Sequence, residues 1–262
     1  MRNTVFLEKR ELEGEDLRKG IIDIHAHILP GVDDGARDMG EALEMIRMAA
    51  AQGVTGIIAT PHYSKRKGPK EQNLFCLVRE LEQRVKERYP WFEVSLGQET
   101  YYHDGLAEHL KEERALTLAE SRYVLTEFDP GVSYGTLLGG LRKLSHSGYQ
   151  PILAHAERYR CLRDEKNLAD LRGCGYWLQM NYESLEGPWY KADVRWCRRQ
   201  IEEGRIQILG SDMHRTDWRA PRLEGALDWL ENHVSQKQLR SLTWENPLKI
   251  LEKQYEGNEK RD

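Results

Sequence analysis

Cysteine is scarce in this sequence, and the few cysteines lie far apart. The four residues, Cys76, Cys161, Cys174 and Cys197, form no C-x-x-C pair, which argues against a zinc ribbon or a disulfide framework. None is followed six positions later by arginine, so the phosphate-binding loop of cysteine-dependent phosphatases is missing. We therefore expect free, reduced thiols and a cytoplasmic protein.

Long hydrophobic runs and an excess of positive charge are also missing. No stretch approaches the roughly 18 consecutive apolar residues of a membrane-spanning helix, so we expect no membrane insertion. Residues 1–20 are polar and charged, without the apolar segment of a secretion signal. The net charge of −4 offers no basic footprint for nucleic acid. A nuclease function therefore conflicts with the charge balance.

Apolar runs alternate with amphipathic stretches along most of the 262 residues. We predict strands at residues 21–28, 56–60, 92–97, 123–128, 150–155, 176–180 and 206–210. Helices are predicted at residues 39–52, 71–88, 134–146, 164–171, 192–203, 221–233 and 246–255. Repeated strand–helix units predict an α/β fold with a parallel sheet. Without a dinucleotide glycine fingerprint, about seven such units favour a closed (β/α) barrel over a doubly wound sheet.

The predicted organisation is one barrel domain between two polar ends. Residues 1–20 form a polar extension, residues 21–255 form the single domain, and residues 256–262 form a charged tail. A chain of this length commonly folds as one α/β barrel.

One pair of histidines begins the functional argument. His25 and His27 are separated by one residue within the first predicted strand, so their side chains lie on the same face. Two neighbouring imidazoles supply half of a metal site. Alone, this pair is equally compatible with an ordinary surface pair.

Further histidines and carboxylates follow other predicted strands at their carboxyl ends, where (β/α) barrels place their active sites. The metal-ligand candidates are His25, His27, Asp34, His62, Glu99, Glu127, His155, Asp212 and His214. Single members have simpler explanations: a histidine can satisfy a core contact, and a glutamate can cap a helix. Five histidines and four carboxylates at one rim exceed the needs of one ion and suit two or three. Such mixed ligands favour Mn, Fe or Zn over Ca or Mg.

An arginine adds an anion-binding group to the same rim. Arg158 follows His155 by three residues, and its planar guanidinium matches a phosphate. A surface ion pair with Glu157 is the simpler alternative. Two adjacent metal ions clamp the oxygens of an in-line phosphoryl displacement, so the pattern points to phosphate-ester hydrolysis.

Residues 22–36, IDIHAHILPGVDDGA, closely resemble the opening of the bacterial manganese-dependent tyrosine phosphatases of the CpsB/CapC type. These enzymes belong to the PHP (polymerase and histidinol phosphatase) superfamily. Further matches are ATPH at 59–62, GQE at 97–99, LTEF at 125–128, ILAHAERY at 152–159, GSDMH at 210–214 and ENP at 245–247. The resemblance covers about residues 20–251.

The resemblance implies a single-domain, distorted (β/α)7 barrel with three metal ions, normally Mn²⁺, with Fe, Zn, Co or Mg as other occupants. The first ion would be held by His25, His27, Glu99 and Asp212. The second would share Glu99 and add Glu127 and His155. The third would be held by Asp34, His62 and His214. The catalytic candidates are Arg158, Asp34 and His62.

The resemblance also implies the substrate, phosphotyrosine on a bacterial tyrosine kinase that controls capsule or exopolysaccharide synthesis. A small-molecule phosphatase acting on histidinol phosphate would use the same ions, and a non-catalytic metal-binding scaffold is a third possibility. The chain departs from the family at Ala156, where proline is common, and in its N-terminal extension. The extension is compatible with either a monomer or an oligomer.

Several neighbours of these residues carry secondary expectations. Basic residues 65–67 could steer a phosphorylated tail, and Tyr63 and Tyr159 could stack on a phenyl ring. Asp23 is expected to orient one of the imidazoles.

Overall fold

All paired strands in the described part of the chain run parallel, as the alternating pattern predicts. The computed structural model describes residues 20–63, 65, 69–70 and 72–252. The strands are β1 Ile21–Ala26, β2 Val54–Ala59, β3 Glu93–Leu96, β4 Glu99–Tyr101, β5 Tyr123–Glu127, β6 Gln150–Leu153, β7 Trp177–Asn181 and β8 Ile208–Gly210. One sheet has the order β1-β2-β3 and the other β4-β5-β6-β7-β8. The predicted α/β class with parallel strands is therefore confirmed.

Helices alternate with these strands. They are α1 Met39–Ala51, α2 Leu74–Arg88, α3 Leu106–Lys111, α4 Tyr134–His146, α5 Glu165–Gly173, α6 Ala192–Glu202, α7 Glu224–His233, α8 Gln236–Arg240 and α9 Asn246–Glu252. Within the described ranges, no helix has the length and apolar character needed to cross a membrane.

Helix α1 shows how local sequence sets the boundaries. The side chain of Asp38 accepts a hydrogen bond from the backbone N–H of Glu41 at 2.9 Å and caps the amino end. Gly53 follows the carboxyl end with a φ of +93°, a conformation that glycine adopts without steric cost. The helix buries Met45 and Ile46 in the core, as its periodicity predicts.

Hydrogen bonds at the carboxyl ends of the strands link the two sheets. The backbone N–H of Tyr63 donates to the carbonyl of Glu99 at 2.9 Å, just beyond β2. The N–H of His27 donates to the carbonyl of Met213 at 2.8 Å, which brings β1 beside β8. The strand ends that carry the candidate residues therefore lie next to one another.

The third predicted strand is slightly shorter than expected, and an unpredicted strand follows it. A strand predicted at 92–97 appears as β3, and the separate strand β4 follows a break at Gly97 and Gln98. A Cβ atom on Gly97 would lie 2.7 Å from the Leu118 side chain, so a larger residue would require that side chain to move. Strand β4 and helices α3 and α8 were not predicted because such short elements carry too little periodicity.

Other boundaries differ by a few residues. The strand predicted at 21–28 ends at Ala26, and the helix predicted at 221–233 begins at Glu224. The helix predicted from residue 71 begins at Leu74. Residues 71 and 253–255 of the predicted helices lie outside the described residues, as do residues 1–19 of the extension and the tail at 256–262.

Candidate metal centre

The two histidines of the opening motif converge through their Nε2 atoms. His25 and His27 are fully buried, and their Nε2 atoms are 3.4 Å apart. The Nε2 of His25 lies 3.4 Å from both a Glu99 oxygen and an Asp212 oxygen. The predicted shared face is therefore present, and the pair faces two carboxylates.

A buried glutamine fixes the tautomer of His25. The Oε1 of Gln179 accepts a hydrogen bond from the backbone N–H of His155 at 2.8 Å, which identifies that atom as the oxygen. The same oxygen lies 3.2 Å from the Nδ1 of His25. Because this oxygen can only accept, Nδ1 carries a proton and Nε2 faces the carboxylates. Partners of this type orient metal-ligating histidines.

Asp33 does the same for His27. Its Oδ2 lies 2.8 Å from the Nδ1 of His27 and also accepts from the backbone N–H of His62 at 2.9 Å. Its Oδ1 accepts from the N–H of Gly35 at 3.0 Å. Burial opposes ionisation of Asp33, but these hydrogen bonds outweigh it and lower the pKa of the carboxyl to about 2. Asp33 is therefore a carboxylate that holds a proton on the Nδ1 of His27 and directs its Nε2 toward Glu99 and Asp212.

The donor atoms form three overlapping groups. Within each group, the atoms lie within 4.8 Å of one another. The groups are His25, His27, Glu99 and Asp212; His27, Asp34, His62 and His214; and His62, Glu99 and Glu127. His155 joins them through its Nε2, which lies 2.8 Å and 3.5 Å from oxygens of Glu99 and Glu127. The structure thus brings together all nine metal-ligand candidates.

Arg158 also reaches this centre. Its guanidinium donates to the Oδ2 of Asp212, which also accepts from the side chain of Asn181 at 3.0 Å. A second guanidinium, that of Arg219, lies 3.4 Å from the same oxygen. The alternative pairing of Arg158 with Glu157 is therefore replaced by a pairing with Asp212.

Two of the converging residues have an unusual backbone conformation. His155 has a φ of +34° and Asp212 a φ of +53°. Non-glycine residues rarely adopt this left-handed region, and such strain concentrates at functional sites. Here it turns the chain sharply after β6 and β8, so that both side chains face the shared centre.

Protonation in the centre reflects burial and mutual pairing. Burial disfavours the charged form of each group, but ion pairs outweigh it. The pKa of Glu99 and of Asp212 is held well below its ordinary value, chiefly by His25. Hydrogen bonds to Glu127 and Glu99 raise the pKa of His155 to about 9. Protons therefore balance the carboxylates in the metal-free protein.

His214 shows the opposite shift. Burial and the nearby His27 lower its pKa to about 4, so its imidazole is neutral at pH 7. Its Nδ1 donates a hydrogen bond to the carbonyl of Asp212 at 2.8 Å. The lone pair of Nε2 is therefore available to a metal ion. A neutral imidazole is the form that binds metal ions.

Two secondary expectations are wrong. Tyr159 is fully buried, and its hydroxyl accepts from the backbone N–H of Phe128 at 3.0 Å, so it does not line the rim. Tyr63 is also buried; its ring packs on His103 and its hydroxyl is hydrogen-bonded to His109. Of the basic residues at 65–67, only 65 is described, and it is exposed, so their steering role stays a prediction.

Asp23 is also not an imidazole partner. Its Oδ1 accepts from the backbone N–H groups of His25 and Ser211 at 3.2 and 3.0 Å. It therefore ties β1 to the end of β8. Gln179, Asp33 and Asn181 hold the candidate ligands instead. The alternation of apolar and polar residues along β7 was the one available signal for Gln179 and Asn181.

The side chains that converge here fit divalent transition ions. Their donors are imidazole nitrogens and carboxylate oxygens, the combination that suits Mn, Fe and Zn. The buried Nδ1 of His155 has no hydrogen-bond partner among the described residues, whereas the Nδ1 atoms of His25, His27 and His214 are hydrogen-bonded, so that their Nε2 atoms face the centre. The parallel α/β fold and these donors define a protein with a composite site suited to metal binding.

Comparisons with known proteins give the family. The sequence model of the family described as "Capsular polysaccharide synthesis, CpsB/CapC" matches residues 21–252. The chain therefore belongs to the CpsB/CapC family, as the resemblance implied. The tyrosine-protein phosphatase CpsB of Streptococcus pneumoniae is 32% identical over 243 residues, covering 88% of this chain and 98% of that protein.

A second relative and a solved structure are also named as tyrosine phosphatases. The tyrosine-protein phosphatase YwqE of Bacillus subtilis is 33% identical over 241 residues, covering 89% of this chain and 92% of that protein. A solved structure from work on YwqE and on CpsB of Streptococcus pneumoniae, described there as "unique metal-dependent tyrosine phosphatases", matches with a TM-score of 0.76 at 32% identity. That match covers 89% of this chain and 95% of the other.

Proposed function

We propose that this protein is a metal-dependent phosphatase that hydrolyses phosphotyrosine. The observation that carries the proposal is the convergence of five histidines and four carboxylates, with Arg158 at their edge. The names of the CpsB and YwqE relatives support the reaction and the substrate.

Three ions, normally Mn²⁺, are proposed to bind at this centre. The first would be held by His25, His27, Glu99 and Asp212, which form one such group. Glu99 would be shared with the second ion, beside Glu127 and His155. The third would be held by Asp34, His62 and His214. Divalent ions supply positive charge to phosphoryl oxygens and a hydrolytic nucleophile at neutral pH.

The protein's own residues have separate tasks in this proposal. Arg158 has more N–H donors than its contact with Asp212 uses, so it can also bind the equatorial phosphoryl oxygens. Asp34 and His62 have side chains that are 50% and 40% exposed, so they meet the substrate at the open side. The leaving phenolate has a pKa near 10, which reduces the need for a buried general acid.

The wider setting is part of the proposal. A distorted (β/α)7 barrel is supported by the hydrogen bonds at Glu99 and Met213, with β3 and β4 as one interrupted strand. A bacterial tyrosine kinase of capsule or exopolysaccharide synthesis is the proposed partner, supported by the family description. A cytoplasmic location is supported by four free cysteines.

The test is phosphate release from a phosphotyrosine peptide with Mn²⁺ and with a chelator. The wild-type protein should act only with the metal, and His155→Ala and Asp212→Ala should lose the activity while remaining folded. His146→Ala is the matched control because His146 is exposed at the end of α4. This control should retain full activity.

Two substrates and one variant separate the alternatives. Faster turnover of histidinol phosphate than of phosphotyrosine would favour a small-molecule phosphatase. Full metal loading without turnover of either compound would favour a scaffold. Arg158→Ala should chiefly lower kcat/KM, and unchanged kinetics would remove its role in phosphate binding.

A further inference from the structure

Trp218 places a large aromatic side chain beside the most open part of the candidate metal centre. Its indole ring lies 5.0 Å from the imidazole of His214, edge to face at 75°. Nearly half of the residue, 46%, is exposed. A single exposed tryptophan is not by itself evidence of a binding site, but Trp218 contacts the candidate metal ligand His214.

The loop that carries Trp218 is closed by its own backbone. The N–H of Arg215 donates to the carbonyl of Trp218, and the N–H of His214 donates to the carbonyl of Arg219, both at 3.0 Å. The hydroxyl of Thr216 donates to Glu41 at 3.1 Å, which ties the loop to helix α1. The indole is therefore held on a short, anchored loop.

A cation also restrains the indole. The guanidinium of Arg219 lies 4.9 Å from the centre of the Trp218 ring, a cation–π distance. The same guanidinium reaches the carboxylate of Asp212 at 3.4 Å. Contacts with His214 and Arg219 therefore hold the indole ring in place before a ligand binds. Such preorganisation lowers the entropic cost of binding.

The exposure of the donor groups shows where a substrate substituent must lie. His25, His27 and Glu99 are buried and leave no room for an organic group. Asp34 and His62 are the exposed donors, and His214 lies 3.6 Å from Asp34. A phosphate bound at the centre would therefore keep its carbon substituent on the side of Trp218.

We propose that Trp218 is a specificity-determining residue that packs against the phenyl ring of the substrate and favours aryl over alkyl phosphates. The inference rests on the proposed phosphotyrosine hydrolysis and adds the residue that recognises the leaving group. Stacked or edge-to-face aromatic pairs at centroid distances of about 4.5–7 Å contribute enough to change an affinity about 3- to 10-fold.

The test compares two phosphonates that are not hydrolysed. Calorimetry on the Mn²⁺-loaded protein gives the Kd of phenylphosphonate and of methylphosphonate. Trp218→Ala should weaken phenylphosphonate about 3- to 10-fold and leave methylphosphonate unchanged, whereas Trp218→Phe should keep most of the preference. Trp189→Ala is the matched control, because Trp189 is also exposed and packs on Tyr190 instead.

The outcomes separate this inference from the proposed function. Equal weakening of both phosphonates would make Trp218 a support for His214 and would overturn the inference, as would no change in either Kd. A wild-type protein that prefers phenylphosphonate but releases no phosphate from phosphotyrosine would refute the proposed function and leave the aryl contact standing.

Discussion

Replacing Gln179 with leucine tests how the protein prepares its histidines for metal. Gln179 is fully buried in β7 and makes three hydrogen bonds, to His155, His25 and Asn181. Leucine retains much of the volume but none of these bonds. The change leaves the backbone N–H of His155 without an acceptor. It also removes the acceptor that keeps a proton on the Nδ1 of His25.

Two magnitudes follow from these contacts. Each buried polar group left without a partner costs about 1–3 kcal/mol, so Gln179→Leu should lower the free energy of unfolding of the metal-free protein by about 2–5 kcal/mol. Loss of a partner that orients a ligating histidine weakens metal binding about 10- to 100-fold. Affinity for Mn²⁺ should fall by that factor.

Calorimetric titration with Mn²⁺ and denaturation by urea measure the two effects. Gln207→Leu is the matched control, since Gln207 accepts from the N–H of Leu178 at 3.0 Å but directly precedes β8, at the end of the strand away from the centre. It should lose some stability and keep wild-type metal affinity. If Gln179→Leu also binds Mn²⁺ with wild-type affinity, the proposed orientation of His25 is refuted.

Three further predictions concern protons, metal removal and a glycine. Because the pKa of His155 is raised to about 9 in the metal-free centre, its proton must leave when metal binds, so affinity should rise about tenfold per pH unit from pH 7 to 9; calorimetry that finds no pH dependence contradicts this. At about 100 times Kd, each bound ion stabilises by about 2.7 kcal/mol, so removing even one ion with a chelator should lower Tm by about 5–10 °C in calorimetric scans, and an unchanged Tm would contradict it. A Cβ on Gly35 would lie 2.0 Å from the His27 carbonyl oxygen, so Gly35→Ala should cost about 1–3 kcal/mol of unfolding free energy in urea. Gly135→Ala, whose Cβ meets open space, should cost none, and equal losses would be contrary to this account.

The residues at the strand ends were predictable because they interrupt apolar runs. Glu99, Glu127 and His155 each follow an apolar stretch, where an isolated charge would be costly to bury. Parallel strands bring their carboxyl ends together, so the linear pattern translates directly into proximity. The amphipathic pattern likewise predicted helix α4 at 134–146 with its observed bounds.

The supporting residues were not predictable in the same way. Gln179 acts through His25, which is 154 positions away in the sequence, so no local pattern links the two. Tyr159 follows Arg158 in a rim motif, yet its ring points into the core. The direction of one side chain depends on tertiary packing, which strand and helix periodicities do not encode.

The most direct test of the central claim is the anomalous diffraction of manganese in crystals grown with Mn²⁺. The account predicts three peaks, each among one set of donors: His25, His27, Glu99 and Asp212; Glu99, Glu127 and His155; and Asp34, His62 and His214. A map without manganese among these side chains, from protein that releases phosphate from phosphotyrosine, would contradict it.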